Sequence, residues 1–158
     1  MSESDTGAQA PSQPEAQFAL QRIYLKDLSF ESPKAPESFR QQWQPKINME
    51  LNSRFNALES DLYEVILSLT ITANNESEEA VYLIEVQQAG IFLVKGLEPE
   101  ALQQTLGSFC PSVLFPYARE AVDNLAIKGS FPPLMLAPVN FDAIYSETLK
   151  QRADSQQH

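Results

Sequence analysis

Histidine, cysteine and glycine are scarce in this sequence, and each scarcity closes off a class of chemistry. His158 is the only histidine and occupies the last of 158 positions. A histidine general base, a serine–histidine triad and a histidine-ligated metal are therefore excluded. Cys110 is the only cysteine, so no internal disulfide forms, in keeping with a reducing compartment. With no second thiol or imidazole to assist it, Cys110 reads as a buried, inert side chain. The five glycines never fall into a GxGxxG or P-loop spacing, which removes the loops that cradle phosphates.

Basic residues and long apolar runs are also in short supply. Eleven Lys and Arg against 21 Asp and Glu leave a net charge of −10. Such a chain repels phosphates and anionic lipid heads, so nucleic acid and membrane surfaces are disfavoured and basic partners favoured. The plainer reading is that the charge only maintains solubility. The longest apolar runs, near Ile91–Val94 and Pro133–Pro138, fall far short of the ~20 residues of a membrane-spanning helix. The opening MSESDTGAQAPSQPEAQ has neither the basic nor the apolar region of a signal peptide, so a cytoplasmic protein is expected. Carboxylates remain as candidate acid–base groups. Glu78 and Glu79 flank a turn, and Asp61 and Glu64 flank a strand start; neither pair has the concave setting that catalysis needs. An enzyme is not expected, and no cofactor is implied.

What is present is patterning. Residues 1–17 read as a flexible tail, 18–150 as a single domain, and 151–158 as a second, fraying tail. A strand is expected over Leu20–Phe30, followed by a loop at Pro33 and Pro36. In KINMELNSRFNAL, Ile47, Met49 and Leu51 alternate with Asn48, Glu50 and Asn52, as in a half-exposed strand. Leu62–Ala73 alternates Val65, Leu67, Leu69 and Ile71 with Thr and Glu. Asn74–Ser77 turns it into a long strand over Glu79–Gly96. That strand carries Leu83 and Glu85 on one side and Tyr82, Ile84, Val86 and Gln88 on the other, so it must be covered twice. Four such strands in series predict a meander.

Beyond Gly96 the period becomes helical. Glu98–Leu106 is a short helix with Gly107 as its stop, and Phe109–Ser112 a second break. Ser112–Lys128 puts Leu114, Ala118, Ala121, Val122 and Leu125 on one stripe, ended by Gly129. The proline-rich SFPPLMLAP must be an apolar loop. Asn140 caps a last helix bearing Phe141, Ile144, Tyr145 and Leu149. The sum is an α+β domain, a four-stranded antiparallel sheet with helices packed on one side. Its surplus apolar surface predicts a homo-oligomer. If Asp27, Glu31 and Glu85 share a face they form an acidic patch; Trp43, Pro45, Tyr82 and the Phe131–Leu136 loop offer a second, apolar surface.

Several stretches in their observed order, QRIYLKDLSFESPKAP, WQP, YEVILSLTITA, EVQQAGIF, CPSVLFPYARE and PPLMLAPVNFDAIY, resemble the SecB family of bacterial protein-export chaperones. The resemblance runs from about Phe18 to Leu149. It implies a SecB-like fold in a cytosolic homotetramer, a dimer of dimers, that hydrolyses no nucleotide and inserts in no membrane. Such chaperones hold unfolded precursor proteins in long apolar grooves and pass them to the SecA translocase motor. An acidic sheet surface receives SecA's basic tail, and the zinc there belongs to SecA.

Carried over residue by residue, the resemblance implies that Asp27, Glu31, Leu83 and Glu85 bind SecA. It implies that Trp43, Tyr82, Leu134 and Leu136 bind clients, and that Ile84, Val86 and Gln88 make subunit contacts. Ile84 is larger than the residue usual there, so that interface is expected to pack differently. Asp154 is the only acid in 151–158, so an acidic-tail contribution to SecA binding is not expected. Two other readings stay open: a structural oligomeric adaptor for one folded partner, and a SecB-like chaperone dedicated to a toxin–antitoxin pair.

Overall fold

The computed structural model describes residues 15–156. The N-terminal tail reading therefore falls mainly outside the described residues, and β1 starts at Gln17. Four strands, β1 (Gln17–Glu31), β2 (Lys46–Glu59), β3 (Leu62–Asn74) and β4 (Ala80–Lys95), form one antiparallel sheet in the order β1-β4-β3-β2. Helices α1 (Pro99–Gln104), α2 (Cys110–Lys128) and α3 (Phe141–Ser155) follow.

The expected meander holds only for β2, β3 and β4. β1 lies beside β4, not β2, and residues 32–45 connect one sheet edge to the other, which makes the topology a Greek key. β4 explains the difference. Its side chains are apolar on both faces, and that suits a central strand paired along both edges rather than an edge strand. The hairpin at Asn75 closes as its sequence suggests: the Asn75 side-chain oxygen accepts from the Glu79 amide at 2.9 Å, and Glu78 takes the left-handed turn position at φ 61°.

One face of the sheet carries the core. Val65, Leu67, Leu69 and Ile71 of β3 and Ile84, Val86 and Phe92 of β4 pack with Leu114, Phe115, Ala118 and Val122 of α2, all of them buried. α2 keeps the stripe read from its spacing and continues through Pro116. The edge strands are mostly exposed, because a single helix lies across the middle of the sheet.

Both expected breaks before α2 are overturned. Thr105–Phe109 forms a π-helical turn that joins α1 to α2. The Cys110 amide reaches back to the Thr105 carbonyl, and Pro111, next in line, has no amide to place. Gly107 stops nothing; a Cβ there would lie 2.8 Å from two ring carbons of Tyr145, so the glycine lets α3 approach. Gly129 does end α2, at an ordinary φ of −81°, and it too makes room, for the Phe30 ring. Ser130, at φ 69°, makes the left-handed reversal. Asn140 caps α3 as expected, accepting from the Ala143 amide at 3.1 Å. α3 continues to Ser155, so residues 151–155 are helical rather than a fraying tail.

Replacing Gly107 with valine should force Tyr145 out of its seat. The overpacking cost is about 1–3 kcal/mol, read as a lower urea midpoint with helical signal lost first from α3. An unchanged midpoint would show that α3 docking does not depend on this contact.

Candidate functional site

The outer face of the sheet, opposite α2, gathers the acidic residues. Strand register places Glu31 beside Leu83, Ser29 beside Glu85 and Asp27 beside Gln87. Asp27, Glu31, Leu83 and Glu85 therefore share one face on neighbouring strands, ~5 Å apart in the pairing direction. A bulge makes this so. Leu25 pairs with Gln88 on the core side, and the register then shifts at Lys26, so that Asp27 pairs with Gln87. Glu50 joins the same face, because Glu85 pairs with Thr70 and Thr70 with Glu50. Strand alternation could have signalled Glu50, but only once the register of β2 on β3 and of β3 on β4 was known. Asp27, Glu31, Glu50 and Glu85 are exposed and form no ion pair among the described residues. Ser29 Oγ donates weakly to Glu85 at 3.4 Å. Leu83 is half-buried at the centre of the patch.

The lower half of this face holds a different kind of carboxylate. Glu64 is buried and accepts from the Tyr24 hydroxyl, from Lys26 Nζ at 3.0 Å and from Asn56 Nδ2 at 3.5 Å. The Tyr24 hydrogen bond, then that of Lys26, holds its pKa below the ordinary 4.5 against the opposing effect of burial. Burial, with Glu64 beside it, pushes Tyr24 up to about 12. The cluster ties β1, β3 and β2 together, and it occupies Lys26, the cation of β1 nearest the acids above it.

On the core side, near the end of the sheet, an aromatic cluster forms around Tyr82. Trp43, from the connection between edge strands, stacks on Tyr82 with centroids 6.0 Å apart and planes 15° apart. Phe131 lies 4.7 Å from Tyr82 and 5.1 Å from Trp43. Phe30 stacks on Tyr82 at 6.0 Å, and Phe39 packs on Phe131 at 5.4 Å. Trp43 is half-buried, and a cavity of about 290 Å³ opens beside it, lined by Gln42, Gln44, Asn74, Asn75 and Val81 among others. Leu134 and Leu136 are half-buried against the core, whereas Met135 between them is 77% exposed. Asp123 of α2 holds this loop, accepting from the Leu134 amide at 3.0 Å and the Met135 amide at 3.2 Å.

Four expected roles need correction. Tyr82 is fully buried, so it is the floor of the aromatic cluster and not an open groove wall. Ile84, Val86 and Gln88 are also buried within the chain. They share the Tyr82 side of β4, which this chain's own α2 covers, so they have no surface left for another subunit. Gln88 donates to the Tyr24 carbonyl at 3.1 Å. The free apolar surface lies elsewhere: Phe18, Leu20, Leu25 and Leu28 form an exposed row on β1. The inert reading of Cys110 agrees with its position, since burial pushes the thiol up to about 12. Trp43, Tyr82 and the loop beginning at Phe131 were expected to share an apolar surface, whereas Phe30, Phe39 and Asp123 went unnoticed in the sequence because their place beside it depends on separate connections.

A rigid sheet with an acidic face on one side and an aromatic cluster beside an open cavity on the other defines a binding protein rather than a catalyst. A family model described as preprotein translocase subunit SecB matches residues 11–152. Protein-export protein SecB of Pseudomonas syringae pv. tomato is 56% identical over 96% of this chain and 92% of its own length. That of Azotobacter vinelandii is 57% identical over 99% and 96%. This chain belongs to the SecB family of protein-export chaperones, which are cytoplasmic and non-enzymatic. Its fold resembles the SecB-like chaperone of Mycobacterium tuberculosis, solved with a peptide from an antitoxin, at a TM-score of 0.64 and 20% identity over 77% of this chain and 90% of that one.

The Glu64 cluster sets a pH dependence. Its folded pKa is depressed, so its stabilisation is complete above the unfolded value near 4.5 and is lost as pH falls through the lower folded value. Glu64→Gln should be less stable than wild type at pH 7, with the difference shrinking towards pH 3 in urea titrations. A gap that stays constant across that range would assign the effect to packing alone.

Proposed function

We propose that this chain holds precursor proteins unfolded on apolar surface clefts and hands them to SecA through the acidic outer face of the sheet. The observation that carries this reading is the shared, exposed face of Asp27, Glu31, Leu83 and Glu85, extended by Glu50. Unpaired carboxylates on a rigid sheet attract a basic partner at long range, and Leu83 supplies an apolar contact at their centre. SecA's basic tail, the partner implied by the family, has the complementary charge. The net charge of −10 favours the same encounter.

Clients are held by different physics. Trp43 belongs to the aromatic cluster, and the exposed Met135 and half-buried Leu134 and Leu136 follow Phe131 in the same loop; apolar segments bound there gain roughly 25 cal/mol per Å² buried. Ordering a loose chain offsets much of that gain, so several moderate contacts are needed. A homotetramer, as a dimer of dimers, supplies them by avidity, and the exposed β1 row of Phe18, Leu20, Leu25 and Leu28 is the surface best suited to subunit contact. Folded proteins hide their apolar segments and are released.

A chaperone dedicated to an antitoxin is the second reading, motivated by the antitoxin peptide bound to the Mycobacterium tuberculosis neighbour. The export relatives are far closer in sequence and favour export. Delayed refolding of several unrelated clients would support a general holding role; capture of one folded protein alone would support an adaptor.

Reversing Asp27, Glu31 and Glu85 to lysine should weaken SecA binding by about 3 kcal/mol, roughly 100-fold in Kd, while client holding persists. Unchanged SecA titrations would reject the docking face. Trp43→Ala should instead weaken unfolded-client binding about tenfold, the loss of one aromatic anchor, and leave SecA affinity as it was.

A further inference from the structure

The cavity beside Trp43 is walled by polar groups that the chain itself leaves unused. Gln41, Gln42 and Gln44 come from the connection between the edge strands, and Asn74 from the end of β3. Among the described residues, none of these four carboxamides makes a hydrogen bond, unlike those of Asn56, Asn75, Gln88 and Asn140. Residues 41–44 also lie outside every helix and strand. Their main-chain groups take no part in the backbone hydrogen bonds of the turns and loops, and Gln41 is extended at φ −103° and ψ 159°. Ser38, on the same wall, has a buried hydroxyl with no partner. The walls are nevertheless tied together. Asn75 spends its side-chain oxygen on the Glu79 amide, and Lys34 pairs with Glu79 at 2.6 Å, joining the connection to the hairpin.

We propose that this cavity is a binding site for the main chain of an extended polypeptide. The carboxamides of Gln41, Gln42, Gln44 and Asn74, with the free main chain of residues 41–44, pair with its N–H and C=O groups. A carboxamide has two N–H donors and a carbonyl acceptor, the same functions as a peptide group, and it favours neither sign of charge. Trp43 adds an apolar wall that limits competition from water. A folded protein has already paired nearly all of its buried main chain, whereas an unfolded one offers N–H and C=O groups along its length. The site thus reads the unfolded state rather than a particular run of side chains. Its volume of about 290 Å³ is at the small end of ligand sites, roughly 300–1,000 Å³, and suits a short stretch of a longer chain. This inference rests on the reading that the protein holds unfolded polypeptide, and it adds main-chain recognition to the apolar contacts.

Changing Gln41, Gln42 and Gln44 together to methionine separates the two kinds of recognition, because the side chains keep their length and gain apolarity. All three are exposed, so the core does not depend on them. The probe is a short, uncharged peptide of phenylalanine, leucine and serine, titrated plain and with every second main-chain nitrogen methylated. Methylation removes donors and adds apolar area. Wild type should bind the methylated peptide about tenfold more weakly than the plain one, the loss of two ordinary hydrogen bonds. The methionine variant should bind the plain peptide about tenfold more weakly than wild type does. Equal binding of both peptides by wild type would overturn the proposal, as would a methionine variant that binds the plain peptide as tightly as wild type or tighter. A reduced, carboxymethylated unfolded protein checks the underlying reading separately. If wild type holds that protein but treats both peptides alike, main-chain recognition alone falls. If wild type holds neither that protein nor the plain peptide, the client reading falls with it.

Discussion

Hydrogen bonding of β4 along both of its edges is the constraint from which the remaining geometry follows. β3 pairs with it from Leu62 against Leu93 to Asn74 against Ala80, and β1 from Gln17 against Lys95 to Glu31 against Leu83. A strand held on both sides cannot rotate, and a slip of one residue would exchange its two faces. Leu83 and Glu85 are therefore committed outwards, and Tyr82, Ile84 and Val86 inwards beneath α2. One face of one strand serves the acidic surface while the other builds the core.

Charge placement follows from the same sheet. The positive charge on β1 nearest the acidic patch is Lys26, and the bulge that turns Asp27 outward also delivers Lys26 to Glu64. A buried carboxylate must be compensated, so Glu64 consumes the cation that would otherwise neutralise the exposed acids. The stability of the sheet and the electrostatic field of its outer face are thus linked through a single irregularity in β1.

Much of the fold was legible in the residues. The two-residue periods of β2, β3 and β4, the stripe of α2 and the cap at Asn140 each report a local preference that the packing reinforces. The acidic residues on β1 and β4 were legible through the family motifs. The joined α1–α2 helix was not, because Gly107 and Pro111 are ordinary helix breakers in isolation, and only the close approach of Tyr145 and the π turn explain them. Nor was the pairing of β1 with β4 rather than β2, since the long connection at residues 32–45 is compatible with either neighbour. Trp43, Tyr82 and Phe131 were grouped as one apolar surface from the residues, but Phe30 and Phe39 escaped notice because they are distant from them in the chain.

The sequence by itself determined the family, the strand periods and the deficit of positive charge, because these are properties of composition and spacing. It could divide β4 into two faces but could not say what covered them. That was decided by tertiary structure, where α2 lies across the side of Ile84, Val86 and Gln88 and leaves them no contact with another chain. A period of two specifies a pair of surfaces, and only the position of a covering helix determines which one becomes core.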